Sequence, residues 1–375
     1  MKILFITPSL NARSGWGRYS RAILQEHIRR GFEVKVLSQD APEDTTYPVE
    51  LLKSVTSRAS VHYFLMNMYI ARKAAKDFDA VFALDGWPYS VYAYAAVTAT
   101  PKPLYLLGVG TYSVAPLYNR FSSFLMRRSY ARARAVFCIS SYTKDELAKG
   151  GVNGKNLYVA HFGASSLPAI SSREVELFTK EAGLPAGAFP VVLTVGQIKE
   201  RKGQMETLKA VGILKQHYPD IVYAVIGSGK HKEYVESMRS YAEKSGLKKN
   251  LLIVTNADDK TLAAFYTSST VFALNSNSDS KHHHFEGFGL VVVEAAGYGK
   301  PAVGSSDSGV QDAIDDGVSG FLTGQRDPSD IADKIGKILE EYDTFSSNAK
   351  VWHKRFTWEN MVEVFVKFYT ARESI

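Results

Sequence analysis

Apolar and polar positions alternate between two regimes along the chain. Runs apolar along their whole length, such as KILFIT (2–7), DAVFALD, PLYLLGV and AVFCIS, are separated by stretches of helical periodicity, GRYSRAILQEHIRRG being the first. Strands apolar on both faces predict a parallel sheet covered by helices on both sides. EVKVLS follows the first helix, and near residue 190 the pattern restarts with VVLTVG, KGQMETLKAVGILKQH, IVYAVIG, NLLIVT, TVFALN and PAVGSS. Two such series predict two doubly wound α/β domains. A chain of 375 residues is also too long for one core. The Ser-, Pro- and Gly-containing stretch at about 165–190 marks the junction, dividing the chain into 1–168 and 169–356. At the end, RFTWENMVEVFVKFYTARESI spaces Trp358, Met361, Val362, Phe365, Val366 and Tyr369 as one amphipathic helix over about 357–375.

Composition adds little until charge is located. The apolar run Ile3 to Ile6 is closed by Pro8 and reads as a buried strand, not a signal peptide. No run approaches the ~18–20 apolar residues of a membrane span. The one cysteine, Cys138, excludes an intramolecular disulfide framework, and the expected setting is the cytoplasm. The net charge of +7 is uneven: residues 1–165 hold 21 Lys/Arg against 11 Asp/Glu, leaving 24 against 27 for the rest. A basic first half suits an anionic partner, and peripheral contact with an anionic membrane face is one expectation. VHYFLMNMYIARKAAK (61–76) and LYNRFSSFLMRRSYARARA (117–135) mix aromatic and cationic residues as interfacial segments do. The alternative is that these helices turn their apolar faces onto the sheet and expose only cations. Nucleic acid is not among the expected partners.

Two segments carry chemistry. EGFGLVVVEAAGYGKPAVGS (286–305) sets Glu286 and Glu294 apart by seven residues. A helix starting near Phe288 would offer unpaired N–H groups from about Gly287 to Leu290, an anion site suited to phosphate. One carboxylate can take hydroxyls of a sugar, the other those of a ribose; Glu294 read structurally is a buried carboxylate paired with a lysine. TVGQIKERKGQMETLKA (194–210) ends a strand at Gly196 and carries Lys199, Arg201 and Lys202 before Gly203 opens a helix. Positive charge there fits a diphosphate whose leaving-group charge grows during reaction. Near the N-terminus Gly15 and Gly17 follow the first strand, a weak GxG signal that an ordinary strand–helix turn explains equally.

With these residues in place, the chain resembles glycosyltransferase family 4 over nearly its whole length. EGFGLVVVEAAGYGKPAVGSSDSGVQDAIDDGVSGFL is similar to the family's donor block, VGQIKERKG to its phosphate loop, and VFCISSYTKDEL (136–147) to its end-of-domain segment. The resemblance implies a GT-B fold: two Rossmann-like domains facing a central cleft, with the C-terminal helix crossing back to the N-terminal, acceptor-side domain. It implies a retaining transfer of a sugar from an NDP-sugar, UDP favoured and GDP next, to a hydroxyl of a glycan or lipid-linked acceptor. By the same resemblance Glu286 contacts the sugar, Glu294 the ribose, and Lys202 the diphosphate. Glu286 and Lys202 are thus the catalytic candidates. Phe288, Gly289 and Leu290 would offer backbone N–H groups or packing, Asn256 and Ala257 would lie near the base, and Gly15 near the phosphates. Two positions depart from the pattern. Gln197 stands where the family often has Arg, leaving Arg201 to supply the charge, and Val109 stands where it often has a sugar-contacting His.

No cofactor or metal is expected. Asp77-Phe-Asp79 precedes a strand where a turn is needed and lacks a third ligand. Consecutive His282, His283 and His284 rarely converge on one ion, although His284 is a candidate to line the donor pocket. IGSGK (226–230) is no phosphate loop, because Ala224 occupies the first glycine position. Three other readings remain: a GT-B sugar-nucleotide epimerase, a degenerate glycan- or lipid-binding protein, and an NAD-dependent oxidoreductase. The last needs G-x-G-x-x-G, and this chain places Ser20 at the third glycine.

Overall fold

A computed structural model describes residues 1–12, 14–54, 60–165 and 167–370. The strands formed by the central apolar runs are buried on both faces, and those at the sheet edges only partly. Seven of them, β1 (Lys2–Ile6), β2 (Glu33–Ser38), β3 (Val49–Leu51), β4 (Ala80–Ala83), β5 (Leu104–Gly108), β6 (Ala135–Cys138) and β7 (Leu157–Val159), make a parallel sheet ordered β3-β2-β1-β4-β5-β6-β7. Six more, β8 (Val191–Val195), β9 (Val222–Ile226), β10 (Leu251–Val254), β11 (Val271–Leu274), β12 (Ala302–Ser305) and β13 (Gly320–Thr323), make a second, ordered β10-β9-β8-β11-β12-β13. Both orders reverse direction after their first strand, as Rossmann-like sheets do. Strands β3, β7 and β13, absent from the sequence reading, are all edge strands of three or four residues. An edge strand needs pairing on one side only, so its pattern is too short to stand out.

The described chain divides into two units: 1–163 with 281–287 and the segment from 357, and 164–280 with 288–356. The sequence reading divided it at 168 and placed 281–287 in the C-terminal half. Phe285 explains the difference. Its side chain is buried in the first unit's core, edge-on to Tyr142 at 5.0 Å. The Thr111 hydroxyl brackets its backbone, accepting from Phe285 N at 3.0 Å and donating to Phe285 O at 3.1 Å. Thr143 Oγ1 donates to Gly287 O at 3.3 Å. Long-range packing of this kind leaves no periodicity in seven residues.

The helix Trp358–Thr370 packs in the first unit against the helix Gly15–Arg29. The expected helix ran to Ile375, and 371–375 lie outside the described residues. His27 joins the two helices. Its Nδ1 lies 2.7 Å from Ile23 O and its Nε2 2.9 Å from the Tyr369 hydroxyl, with Phe365 stacked on the ring at 6.2 Å. Burial drives its pKa down from 6.5 to about 4, so the ring is neutral.

Candidate active site

In the second unit the phosphate-loop candidate turns sharply at the carboxyl end of β8. Glu200–Lys202 form one turn of 3-10 helix, and Gly203 at φ +67° opens the helix Gln204–Leu214. A Cβ at Gly203 would lie 1.8 Å from Asn275 O, so only glycine fits there. The segment after β11 clamps the turn: Asn277 N donates to Arg201 O at 2.7 Å. Lys202 runs back along the strand end, its Cε 3.9 Å from where a Gly196 Cβ would stand. Gln197 turns inward by its backbone, its carbonyl accepting from Gln204 Nε2 at 3.1 Å, while its side-chain amide lies 3.4 Å from His231 Nε2. Gln204 Oε1 and Asn277 Oδ1 are buried acceptors that meet no donor among the described residues. A ligand hydroxyl is the kind of donor such oxygens require.

Strands β8 and β11 are neighbours, so the helix following β11 starts at the same edge of the sheet. It runs Leu290–Gly297, two residues later than the spacing suggested. Gly289 sets the start by adopting φ +88°, a left-handed conformation that no helix continues. The first intrahelical bond is Val292 N to Gly289 O at 2.8 Å, so the N–H groups of Leu290 and Val291 precede it. Phe288 contributes packing: its ring is buried against Phe356 at 5.6 Å. Glu294 is 5% exposed, and its Oε2 accepts from the Tyr266 hydroxyl at 3.1 Å. Tyr266 in turn stacks on Tyr298 at 5.3 Å, so a tyrosine hydroxyl held in an aromatic stack is one partner of this carboxylate. Asn256 and Ala257 follow edge strand β10, on the loop before the helix capped by Asp258.

The remaining candidates lie in the first unit. Gly15 begins the helix Gly15–Arg29, where a Cβ would meet nothing within 4 Å. The sterically required glycine is Gly17, whose Cβ would stand 2.0 Å from Asn11 O. Glu286 is half-buried beside Phe285 in the bracketed 281–287 segment. Val109 N donates to the Ser113 hydroxyl at 2.8 Å. His283 stacks face to face on Tyr118 at 3.6 Å, and His284 is exposed. The glycines of IGSGK serve packing, since a Cβ at Gly227 would stand 1.7 Å from Gly196 O.

Sequence reasoning passed over Asp85. It is 2% exposed, accepts from Gly86 N at 2.6 Å and from the Trp16 side chain, and burial raises its pKa to about 7. The one signal available was an acid directly after the apolar run of β4, at the carboxyl end of a parallel strand, where ligands bind.

Two family models match this chain, one for glycosyl transferases group 1 over residues 178–352 and one for glycosyltransferase family 4 over residues 13–165. Together they take in most of both units. The chain belongs to glycosyltransferase family 4. It is 29% identical over 208 residues to the D-inositol 3-phosphate glycosyltransferase of Corynebacterium urealyticum, covering 54% of this chain and 47% of that protein. It is 26% identical over 155 residues to the GDP-mannose-dependent alpha-(1-6)-phosphatidylinositol monomannoside mannosyltransferase of Mycolicibacterium smegmatis, covering 41% and 40%. The chain thus spans under half the length of these curated relatives. Anabaena Alr3699/HepE in complex with UDP-glucose superposes with a TM-score of 0.79 at 19% identity, covering 99% of each chain. That likeness shows the GT-B fold.

Proposed function

We propose that this family 4 member is a glycosyltransferase that moves a sugar from a nucleoside diphosphate sugar to an acceptor hydroxyl with retention. A UDP-sugar is the favoured donor and a GDP-sugar the next. The observation that carries the reading is the second unit's sheet edge. There Lys202, held on the glycine-pinned turn after β8, lies at the same edge of the sheet as the helix after neighbouring β11 that begins at Leu290 and carries Glu294. Cations and a helix N-terminus stabilise a departing diphosphate, and a buried carboxylate takes ribose hydroxyls. Arg201 lies on the same turn and supports the charge that Gln197 does not supply. The sugar's hydroxyls are assigned to Glu286, the base to the loop of Asn256 and Ala257, and a phosphate approach to Gly15. The relatives' names divide between donors: one is GDP-mannose-dependent, and the superposed structure holds UDP-glucose. Isothermal titration with UDP and GDP tests the donor. One of them is expected to bind, and Glu294→Ala to weaken it by about 1–3 kcal/mol, the scale of charged hydrogen bonds. Unchanged affinity in Glu294→Ala removes that residue from the ribose.

The acceptor is proposed to be a glycan or a lipid-linked glycan reached from an anionic membrane surface. The observation favouring membrane contact is apolar exposure in the first unit. On the helix Ser60–Ala74, Val61, Leu65 and Tyr69 are 72%, 58% and 67% exposed at spacings of four, followed by exposed Arg72, Lys73 and Lys76. Phe121 is 88% exposed, and Arg128 lies over the exposed Phe124 ring at 4.6 Å. These apolar side chains face outward, while Phe64, Met68, Leu125 and Met126 of the same segments pack onto the core, as the alternative expects. Arg127 and Arg132 are committed elsewhere, donating to Gly150 O at 2.6 Å and to Thr100 and Lys102 O at 2.9 and 2.8 Å. Replacing them would therefore loosen the fold. Vesicle sedimentation should show binding to anionic and not neutral vesicles, weakened by salt and abolished by Leu65→Ser with Phe121→Ser. Equal partition to both vesicle types refutes it. Among the described residues no helix is long and apolar enough to cross a membrane.

A further inference from the structure

The first unit contains a cavity of about 560 Å³ at the carboxyl ends of β1, β2, β4 and β5. This is where the sheet order reverses, with β1 leading to β2 on one side and β4 lying on the other, and ligands favour that position. The volume falls within the ~300–1,000 Å³ usual for ligand sites. Its walls include Trp16, Trp87 and Tyr112, with Trp16 and Tyr112 at 5.5 Å and a 59° tilt, and Trp87 held by stacking on Phe64 at 5.3 Å. Its polar groups are acidic. Asp85 is buried at its base, and Asp40 is anchored by accepting from the Ser9 hydroxyl and Leu10 N, each at 2.5 Å. Among the described residues that line it there is neither lysine nor arginine, and Arg21, in the adjoining cavity that shares Asp40, is held bidentate by Asp44.

Aromatic faces stack on the C–H faces of saturated rings, and carboxylates accept hydroxyl protons. A phosphate monoester in the same place would face two carboxyls, with no lysine or arginine among the described lining residues to offset them. We infer that this cavity is the acceptor site and takes an uncharged polyhydroxylated ring, a pyranose or a cyclitol without phosphate, stacked on the tryptophans with hydroxyls donated to Asp85 and Asp40. The assignment as acceptor site rests on the glycosyl-transfer reading; ring binding itself does not. A ring phosphorylated at the position entering the cavity is disfavoured there, since no lysine or arginine among the described lining residues would meet it, which sets this chain apart from a relative named for D-inositol 3-phosphate.

Saturation-transfer NMR and isothermal titration with the full chain provide the test. The probes are the methyl glycosides of glucose, galactose and mannose, and myo-inositol, each beside its phosphorylated counterpart. At least one uncharged probe should bind below about 50 mM, its phosphorylated form about 10-fold or more weaker. Asp85→Ala and Tyr112→Ala, with melting temperature as the folding check, should each reduce that binding about 10-fold, the scale of one hydrogen bond or aromatic contact. The glycosides against myo-inositol decide which ring is taken. The proposal is overturned if no uncharged probe binds, if phosphorylated rings bind more tightly, or if both variants bind as the native chain does. Ring binding without any nucleotide-sugar binding would keep the cavity's assignment as a ring site and remove the transferase reading.

Discussion

Lys202→Ala is expected to lower the rate of sugar transfer about 10²–10³-fold while weakening nucleotide-sugar binding far less, the signature of a group that stabilises charge chiefly in the transition state. The residue stands on a turn whose shape is imposed from both sides: Gly203 is pinned under Asn275, and the Arg201 carbonyl is held by Asn277. On the proposed reading Lys202 would meet the diphosphate from a fixed backbone, and little of its effect would be lost to reorganisation. Because the turn supplies cations of its own, the rate is expected to survive EDTA. The measurement is initial velocity of nucleotide release with the best donor and acceptor of a screen. A variant turning over normally shows that Arg201 and the helix beginning at Leu290 suffice; abolition by EDTA shows that a metal takes part.

The second large effect is on stability against pH, and it arises from two buried groups of opposite sign in the first unit. Asp85 has its pKa raised from 3.8 to about 7 by burial, so the folded state holds the proton more tightly than the unfolded. Its contribution is fully present below pH 3.8 and is lost as pH rises through about 7, on the order of 4 kcal/mol. His27, lowered from 6.5 to about 4 by burial, acts in reverse. Its contribution is present above pH 6.5 and is lost as pH falls through about 4, on the order of 3 kcal/mol. In the native chain the two largely cancel between pH 4 and 7. Asp85→Asn removes one of them. Its melting temperature relative to the native chain should climb as pH rises from 4 to 7.5, and on acidification the variant should lose stability through His27 alone. A difference between the two chains that is flat with pH refutes a proton-retaining Asp85.

Much of the fold was legible because burial on both faces writes itself into short runs. VVLTVG and AVFCIS need no partner to be recognised as central strands, and the tail from Trp358 declares its apolar stripe. Glycine chemistry was legible only in part. Gly203 read as a helix opener and is one, but the spacing around Phe288 suggested a helix two residues early, because nothing local announced that Gly289 would take a left-handed conformation. Likewise Gly15 drew notice for its place in a GxG, while the glycine that the fold requires is Gly17, through a contact with the Asn11 carbonyl that periodicity does not record.

Sequence alone therefore determined the two parallel sheets, the order of their main elements, the family, and the loop and helix that carry Lys202 and Glu294. These depend on patterns repeated within ten or fifteen residues. Only the tertiary structure decided that 281–287, with Glu286, packs in the first unit, that Glu294 meets Tyr266, and that Asp85 lies buried among aromatic rings. Each of these joins residues far apart in sequence, and a buried polar group is defined by what closes over it. Exposure of Val61, Leu65 and Tyr69 belongs with them, since an apolar stripe reads the same whether it faces a core or water.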